Sequence, residues 1–325
     1  MAYICHRKHF YMNYLKAQWN RIRKSIVGKI IGDIIKGFEQ DNPMLYGASI
    51  AFYTIFSLPA LLIFTVFIAG IIFEQQVVEG QLYSYIEELV GGESARQIEN
   101  ILKNAALDQA GPVAKTIGIA TLTFSATTVF VNIQLALNEI WGVRAKPQKG
   151  WLKLIIDRLF SFLLVISLGI TLLGTIILDT LLSSFGELLE NFFSDYTVYL
   201  MRVTSTVVYI TIVTLVFSLI FKLLPDAHVR WRDVSVGAIF TTALFVIGKE
   251  LIGVYLGASN FSSAYGAAGS LVVILIWVYY SAIIFLIGAE FTKAYSLRVG
   301  KEIRPKKNAV KVIKKEIERE VKEAS

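Results

Sequence analysis

Six long apolar segments, separated by charged or polar loops, dominate the pattern of hydrophobic and polar positions along this chain. Each is long enough to cross the roughly 30 Å hydrocarbon layer of a bilayer as a helix. The predicted spans cover about residues 45–73, 115–140, 154–178, 198–221, 234–256 and 269–291. Residues 1–44 form a tail that ends in an interfacial amphipathic helix, and residues 294–325 form a basic tail. The pattern therefore predicts an all-α membrane protein with six transmembrane helices.

The second predicted span is unusually polar, and its polar residues are ordered. On a helical wheel at about 100° per residue, an apolar stripe alternates with two polar stripes. The apolar stripe contains Ile119, Leu122, Ala126, Val129, Ile133, Leu137 and Ile140. One polar stripe contains Thr121, Ser125, Thr128, Asn132 and Glu139, and the other contains Thr116, Thr123, Thr127, Gln134 and Asn138. Because polar side chains in lipid need partners, we expect this helix to contact lipid along one edge and protein on both flanks.

Three segments outside the spans have their own patterns. Residues 74–113 are acidic and predict two short amphipathic helices, broken at Gly91-Gly92. The uncharged linker 257–268 is interpreted either as a plain outer loop or as a segment that re-enters the bundle. In the basic tail, the apolar spacing indicates a charged amphipathic helix or a partly disordered segment. The residues that carry this spacing are Val310, Ile313, Ile317 and Val321.

Composition and loop charge agree with a position in a bilayer. Of the 325 residues, 55% are hydrophobic, above the usual range for a soluble domain. Lys and Arg number eight, four, three and eleven in the N-terminal segment, the second–third loop, the fourth–fifth loop and the segment that follows the sixth span, residues 292–325. The intervening loops are acidic or neutral, so the positive-inside rule predicts a multi-pass protein with both termini in the cytosol. The single cysteine, Cys5, excludes an internal disulfide.

Charged residues inside the predicted spans are the candidates for function. Four of them lie near span ends and are interpreted as interfacial charges: Glu139, Asp179, Arg202 and Glu290. Lys249 and its neighbour Glu250 differ, because Lys249 lies only about four residues, or roughly 6 Å, past the middle of the fifth span. A charge at that depth costs at least about 2.5 kcal/mol unless it is hydrated or paired.

Two interpretations of Lys249 stay open. In the first, Lys249 lines a polar cavity together with Thr242 and Glu250, and its ammonium meets an anionic group of a substrate. The opposite wall would then be the second-span face that contains Thr121, Ser125, Thr128 and Asn132. In the second, Lys249 forms a buried ion pair with Glu250 or Asp179 that only fixes helix packing, and the hydroxyl groups bond neighbouring helices.

The sequence contains no phosphate-binding loop, paired-histidine zinc helix or nucleophile elbow. Five acidic residues near the predicted cytosolic face show no spacing typical of a two-metal site: Glu139, Asp157, Asp226, Asp233 and Glu290. We therefore expect no cofactor, no metal and no nucleic-acid partner. The basic cytosolic face is expected to contact anionic headgroups of membrane lipids, and the sequence is compatible with a homo-oligomer.

Several motifs resemble those of one known family. They are ASIAFYTIFSLPALL at 48–62, ALNEIWGV at 136–143, LPDAHVRWRDVSVGAIF at 224–240, GKELIGVYLG at 248–257 and SSAYGAAGSLVVILIWVYYSAIIFLIGAEFTKAY at 262–295. In this order they resemble the YihY/BrkB family of bacterial inner-membrane proteins, over about residues 30–298. The resemblance implies six helices, cytosolic termini and a bacterial inner-membrane location. Members of that family have carried the label ribonuclease BN-like or been linked to envelope lipid handling, but the resemblance supplies no site residues.

Three functions are weighed on these grounds. The leading hypothesis is transport or handling of a lipid or another amphipathic anionic substrate through a polar intramembrane cavity. The first alternative is a structural or assembly protein without a substrate, and the second is a membrane-tethered ribonuclease that uses cytosolic carboxylates. Since the sequence gives no residues to support the ribonuclease label, we do not expect an enzyme.

Overall fold

The computed structural model describes residues 25–69, 128–146, 194–258 and 269–312, with eight single positions between 80 and 99. The predicted third span (154–178) and most of the linker 257–268 lie outside the described residues. The predicted outer helices of 74–113 are described only at the eight single positions, each of which is helical.

Helices make up most of the described structure. Their bounds are α1, Ile26–Gln40; α2, Pro43–Ala69; α3, described over 128–140; α4, Ser194–Leu223; α5, Trp231–Ala258; and α6, Gly269–Arg298. Three of them contain apolar stretches long enough to cross a membrane, namely Thr206–Leu223, Trp231–Leu256 and Leu271–Arg298. The prediction of a mostly helical protein with membrane-spanning helices is confirmed to this extent, and the six-span topology stays a prediction.

Large apolar side chains are exposed along α4 and α5. They include Val207, Ile210, Leu215, Ile239, Ile247, Leu251 and Val254. A water-soluble protein rarely exposes such a continuous apolar surface. We therefore expect lipid, or further helices of the bundle, to cover these faces.

α5 and α6 pack against each other through two matching segments, GAIFT at 237–241 and GAEFT at 288–292. Thr241 Oγ1 donates to the Gly237 carbonyl, and Thr292 Oγ1 donates to the Gly288 carbonyl, both at 2.7 Å. Each threonine lies against the glycine of the other helix. A Cβ at Gly237 would lie 2.8 Å from Thr292 Cβ, and a Cβ at Gly288 would lie 2.8 Å from Thr241 Cβ. The two glycines thus allow the close approach typical of helix pairs in membranes.

Phe240 and Phe291, at matching positions of the two segments, stack with their ring centroids 3.9 Å apart. Each contact that the α5 segment makes with the α6 segment is therefore matched by the same contact in the reverse direction. The two antiparallel helices are thus related at this contact by a local two-fold axis. An axis that relates spans of opposite direction lies in the membrane plane.

The core lies towards the predicted cytosolic ends of α3, α4, α5 and α6. Leu137 and Ile140 of α3 are fully buried, in one cluster with Phe221 of α4 and Leu286 of α6. Val129 is buried as well, so the apolar stripe of α3 faces protein in the described part. The predicted lipid contact along this stripe is wrong there, because α4 and α6 cover it. The residue exposed there is Leu135, which lies outside all three stripes.

The polar stripes of α3 contact protein on two sides, as predicted. Ser49 Oγ of α2 donates to Asn132 Oδ1 at 3.1 Å. On the other stripe, Asn138 Nδ2 donates to Asp226 Oδ2 at 2.9 Å, and Asn138 Oδ1 accepts from the Asp226 backbone N–H at 2.8 Å. α3 is thereby fixed to α2 and to the α4–α5 loop.

Four short strands join the predicted cytosolic loops to the segment after α6. They are β1, Val143–Ala145; β2, Ala227–His228; β3, Arg304–Pro305; and β4, Ala309–Lys311. β1 pairs with β4 and β2 pairs with β3, both antiparallel. The all-α prediction missed these strands, because two or three residues are too few to show a period. Val310 accordingly lies in β4 and not in the predicted helix.

α1 is an amphipathic helix that docks on α6. Ser25 caps its start by accepting from the Gly28 N–H at 3.1 Å. Ile30 and Gly37 are buried, whereas Ile26 and Val27 are more than 60% exposed. A helix with one docked face and one exposed apolar face suits the membrane interface that the sequence predicts for it.

A bidentate ion pair helps to hold α1 in place and should respond to acid only at low pH. Arg298 Nε and Nη2 donate to the two carboxylate oxygens of Asp33 at 2.6 and 2.9 Å. These hydrogen bonds lower the pKa of Asp33. The ion pair therefore stabilises the folded protein fully above the ordinary carboxyl pKa of about 3.9, and this stabilisation is lost as the pH falls through the lowered pKa. We expect the backbone amides of residues 26–40 to be equally protected from hydrogen exchange between about pH 8 and about pH 5. D33N should lower this protection at every pH in that range. Loss of wild-type protection already near about pH 6 would contradict this.

Candidate functional site

Lys249 and Thr242 lie on the side of α5 that packs against α4. Thr214 Oγ1 of α4 donates to Thr242 Oγ1 at 3.0 Å, and Thr242 is buried. Seven residues further along α5, Lys249 Nζ lies 5.9 Å from the centroid of the Tyr209 ring of α4. That distance is within the range of a cation–π contact. The α4–α5 seam, defined by these four residues, therefore has polar contacts at two depths.

The other predicted cavity residues are more scattered. Glu250 is exposed, although it follows Lys249 directly. Asn132 lies beside Ser49 of α2 and donates to the Thr128 carbonyl at 2.9 Å. Thr121 and Ser125 lie outside the described residues. The α4–α5 seam thus unites Lys249 with Thr242, and the predicted opposite wall stays a prediction.

The four predicted interfacial charges have different surroundings. Glu139 is half-buried near the end of α3. Asp179 and the Arg202 side chain lie outside what the structure describes. Glu290 is only 1% exposed, which is more buried than a charge at a hydrated interface is expected to be. The sequence did not predict this burial.

Glu290 belongs to a cluster that joins α6 to the end of α1. Lys293 Nζ lies 2.7 Å from Asp41 Oδ2 and 3.7 Å from Glu290 Oε2. Gly37 covers the Glu290 carboxylate so closely that a Cβ there would overlap it. Within the described residues, Glu290 Oε1 is buried without a hydrogen-bond partner. Two carboxylates therefore share one ammonium group in a largely buried setting.

Two further carboxylates fix the predicted cytosolic loops. Asp226 accepts from Asn138 and, at 3.3 Å, from Gln134 Nε2. Asp233 is 1% exposed and accepts from the Lys301 backbone N–H at 3.1 Å and from Ser296 Oγ at 3.3 Å. Among the described residues, no three His, Cys, Asp or Glu side chains are grouped to hold a metal ion. The contacts of Asp226 and Asp233 assign them to loop positioning.

Apolar helices of spanning length, exposed apolar faces and a charged end where the loops meet define a helical integral membrane protein. Residues 34–312 match the family model described as Virulence factor BrkB. Because the match covers most of the chain, the protein belongs to this family, which confirms the resemblance of its sequence motifs.

Named relatives of the chain are membrane proteins too. It is 28% identical to a UPF0761 membrane protein of Alteromonas mediterranea over 270 residues, which are 81% of this chain and 86% of that protein. UPF0761 membrane proteins of Verminephrobacter eiseniae and Halorhodospira halophila are also 28% identical, over 78% and 83% of this chain. The chain spans only 59% and 58% of those two proteins. These names include no enzymatic activity, and no solved structure matches the chain significantly.

Proposed function

We propose that this protein transports or otherwise handles a lipid or another amphipathic anionic molecule, and that Lys249 binds its anionic group. The proposal places the chain in a bacterial inner membrane, with six spans and both termini in the cytosol, as loop charge and the family resemblance suggest. The observation that carries it is the position of Lys249 in the α4–α5 seam, deep within an apolar helix.

An ammonium group is costly to place in hydrocarbon. A lysine near the middle of a span is expensive, and such residues commonly mark substrate or ion pathways. The Tyr209 ring supports the positive charge, and the anionic group of a substrate is the ligand that an ammonium group at this depth favours. The Thr214–Thr242 hydrogen bond continues the polar lining of the seam towards the predicted cytosolic end.

Replacing Lys249 by glutamine should slow substrate movement while leaving the protein folded. The probe is a fluorescent short-chain phosphatidylglycerol in proteoliposomes, and translocation is read from its quenching by dithionite. We expect K249Q to be at least about tenfold slower than wild type, because loss of a partly buried cation opposite an anion costs about 2 kcal/mol. The matched control is K249R, which keeps the charge and should retain most of the rate.

Solvent access separates this proposal from a purely structural role. With Cys5 replaced by serine, a cysteine at position 242 should react with a water-soluble thiol reagent if the seam opens to water. In the structural alternative the Thr214–Thr242 bond only joins two helices, and the cysteine stays unreactive. Equal rates for K249Q and wild type, or no rate above protein-free vesicles, would refute the transport proposal.

A further inference from the structure

A cavity of about 520 Å³ lies at the predicted cytosolic end, between the α4–α5 loop and the segment after α6. We call it the basic pocket. It is lined by His228, Val229, Arg230, Lys301, Glu302 and Arg304. The β2–β3 pair joins its two walls, since His228 is in register with Arg304. The pocket is thus built from two segments that are distant in sequence.

Buried hydrogen bonds fix the spacing of the two walls. Asp233, in the first turn of α5, accepts from the Lys301 backbone N–H and from Ser296 Oγ of α6. Gly300 lies so close that a Cβ there would overlap the Asp233 carboxylate. The backbone that carries the basic side chains is therefore ordered before a ligand binds, which lowers the entropic cost of binding.

The lining is strongly positive. Arg230, Lys301 and Arg304 supply three permanent charges, and Glu302 is the one carboxylate in the described lining. Glu302 is already engaged, because Lys311 forms an ion pair with it and thereby lowers its pKa. In the described part of the chain, the three basic side chains form no ion pair with a carboxylate.

The cavity between α1 and α6 gives a useful contrast. It measures about 300 Å³ and also contains basic side chains, among them Arg298 and Lys293. There Asp33 pairs with Arg298, and Asp41 pairs with Lys293. Two of the three basic side chains that line that cavity are thus paired with carboxylates, Lys36 being the third, whereas in the described part of the chain none of the three in the basic pocket is.

The chemistry of the basic pocket suits a phosphate group. Arginine binds phosphate through paired N–H donors, and lysine adds a point charge. α5 begins directly after Arg230, and the first N–H groups of a helix favour an anion as well. Nearby, Trp231 is half-exposed with Lys222 Nζ 5.4 Å from its ring centroid, an arrangement typical of the headgroup level of a membrane.

We propose that the basic pocket binds a phosphate group, supplied either by the headgroup of an anionic lipid in the adjacent leaflet or by a soluble phosphate compound. This site is separate from Lys249, which lies nineteen residues further along the chain from Arg230, or roughly 28 Å along α5. Phosphate binding in the basic pocket can therefore be tested independently of the transport function.

Removing two charges from the basic pocket should reduce phosphate binding. The full-length protein is tested in two arms: inorganic phosphate titrated into phosphatidylcholine nanodiscs by calorimetry, and phosphatidylglycerol retained from mixed micelles by native mass spectrometry. R230Q/R304Q is expected to bind at least about tenfold more weakly in the arm that detects binding, since it removes two of the three positive charges that line the pocket. The matched control is R144Q/K146Q, which removes two exposed charges from β1 and the residue after it.

The two arms identify the source of the phosphate. Binding of inorganic phosphate that depends on Arg230 and Arg304 supports a soluble ligand, and phosphatidylglycerol retention with the same dependence supports a lipid headgroup. An equal loss in R144Q/K146Q would overturn the proposal, because total charge would then explain the binding. Absence of binding in both arms would overturn it too. If R230Q/R304Q fails to elute as folded protein, the exposed single variant K301Q replaces it, and unchanged binding in K301Q would also overturn the proposal.

Discussion

Replacing Gly237 by alanine is expected to lower the unfolding temperature of the purified protein by roughly 4–8 °C. The new Cβ would lie 2.8 Å from Thr292 Cβ and would overlap Thr292 Oγ1. Thr292 cannot rotate away without breaking its hydrogen bond to the Gly288 carbonyl, so α5 and α6 must separate locally. Overpacking of this kind costs about 1–3 kcal/mol, and the shift is measured by thermal unfolding in detergent.

Gly253, on the same helix, offers a matched control. A Cβ there would meet nothing within 4 Å, and alanine is about 0.5–1 kcal/mol better than glycine inside a helix. G253A should therefore leave the unfolding temperature unchanged or slightly raised. Adding Thr292→Ala to G237A should recover part of the loss, because it removes the overlapping hydroxyl. Equal unfolding temperatures for G237A and G253A would show that the close contact is not a stabilising feature.

Replacing Lys293 by methionine should destabilise the protein by about 1–3 kcal/mol, the usual cost of leaving buried polar groups without a hydrogen-bond partner. Methionine keeps most of the length of the side chain but leaves the Asp41 and Glu290 carboxyl groups without the ammonium that they share. Glu290 cannot turn towards water, since it is buried under Gly37. The measurement is the free energy of unfolding in a denaturant series, with hydrogen exchange in α1 as the local readout.

The matched control for this change is K307M, which removes an exposed lysine between β3 and β4 and should cost less than about 0.5 kcal/mol. The double variant K293M/E290Q should be more stable than K293M, since a neutral amide then replaces the buried Glu290 carboxyl group. If K293M and K307M unfold at the same denaturant concentration, the cluster does not hold α1 on α6.

Hydropathy predicted the positions of α4, α5 and α6 within a few residues at most ends. This succeeds because the length of an apolar run is set by the bilayer thickness. The last helix was predicted to end near 291 but continues to Arg298. Its extra turns carry Lys293 and Arg298, whose charges are paired with Asp41 and Asp33 at the end and middle of α1. The charges that suggested a helix end are thus accommodated by a neighbouring helix.

The burial of Glu290 could not be predicted from its own helix. It depends on Gly37, which is distant in sequence and allows α1 to cover the carboxylate. The α5–α6 contact is a different case, because the repeated G-A-x-F-T at 237–241 and 288–292 was visible in the sequence. That repeat is a signal for close helix packing, and a search for short internal repeats would have found it.

The basic pocket was only partly foreseeable. The sequence predicted a basic cytosolic face that contacts anionic headgroups, but not which residues gather there. Arg230 and Arg304 are brought together by the pairing of β2 with β3, and strands of two residues have no detectable pattern. For Lys249 and Thr242, the identity of the facing helix, α4, required the structure.

The pairing of β3 and β4 with earlier loops also has a consequence for the order of events during synthesis. Residues 304–311 leave the ribosome after every predicted span has been made, yet β1 and β2 find their partners only there. Insertion of the helices and closure of their predicted cytosolic end are therefore separate steps in time. A nascent chain that stalls just after α6 would hold its apolar helices in the bilayer while both loops still lack their partner strands, which gives quality-control proteases a window that closes only when residues 304–311 have emerged.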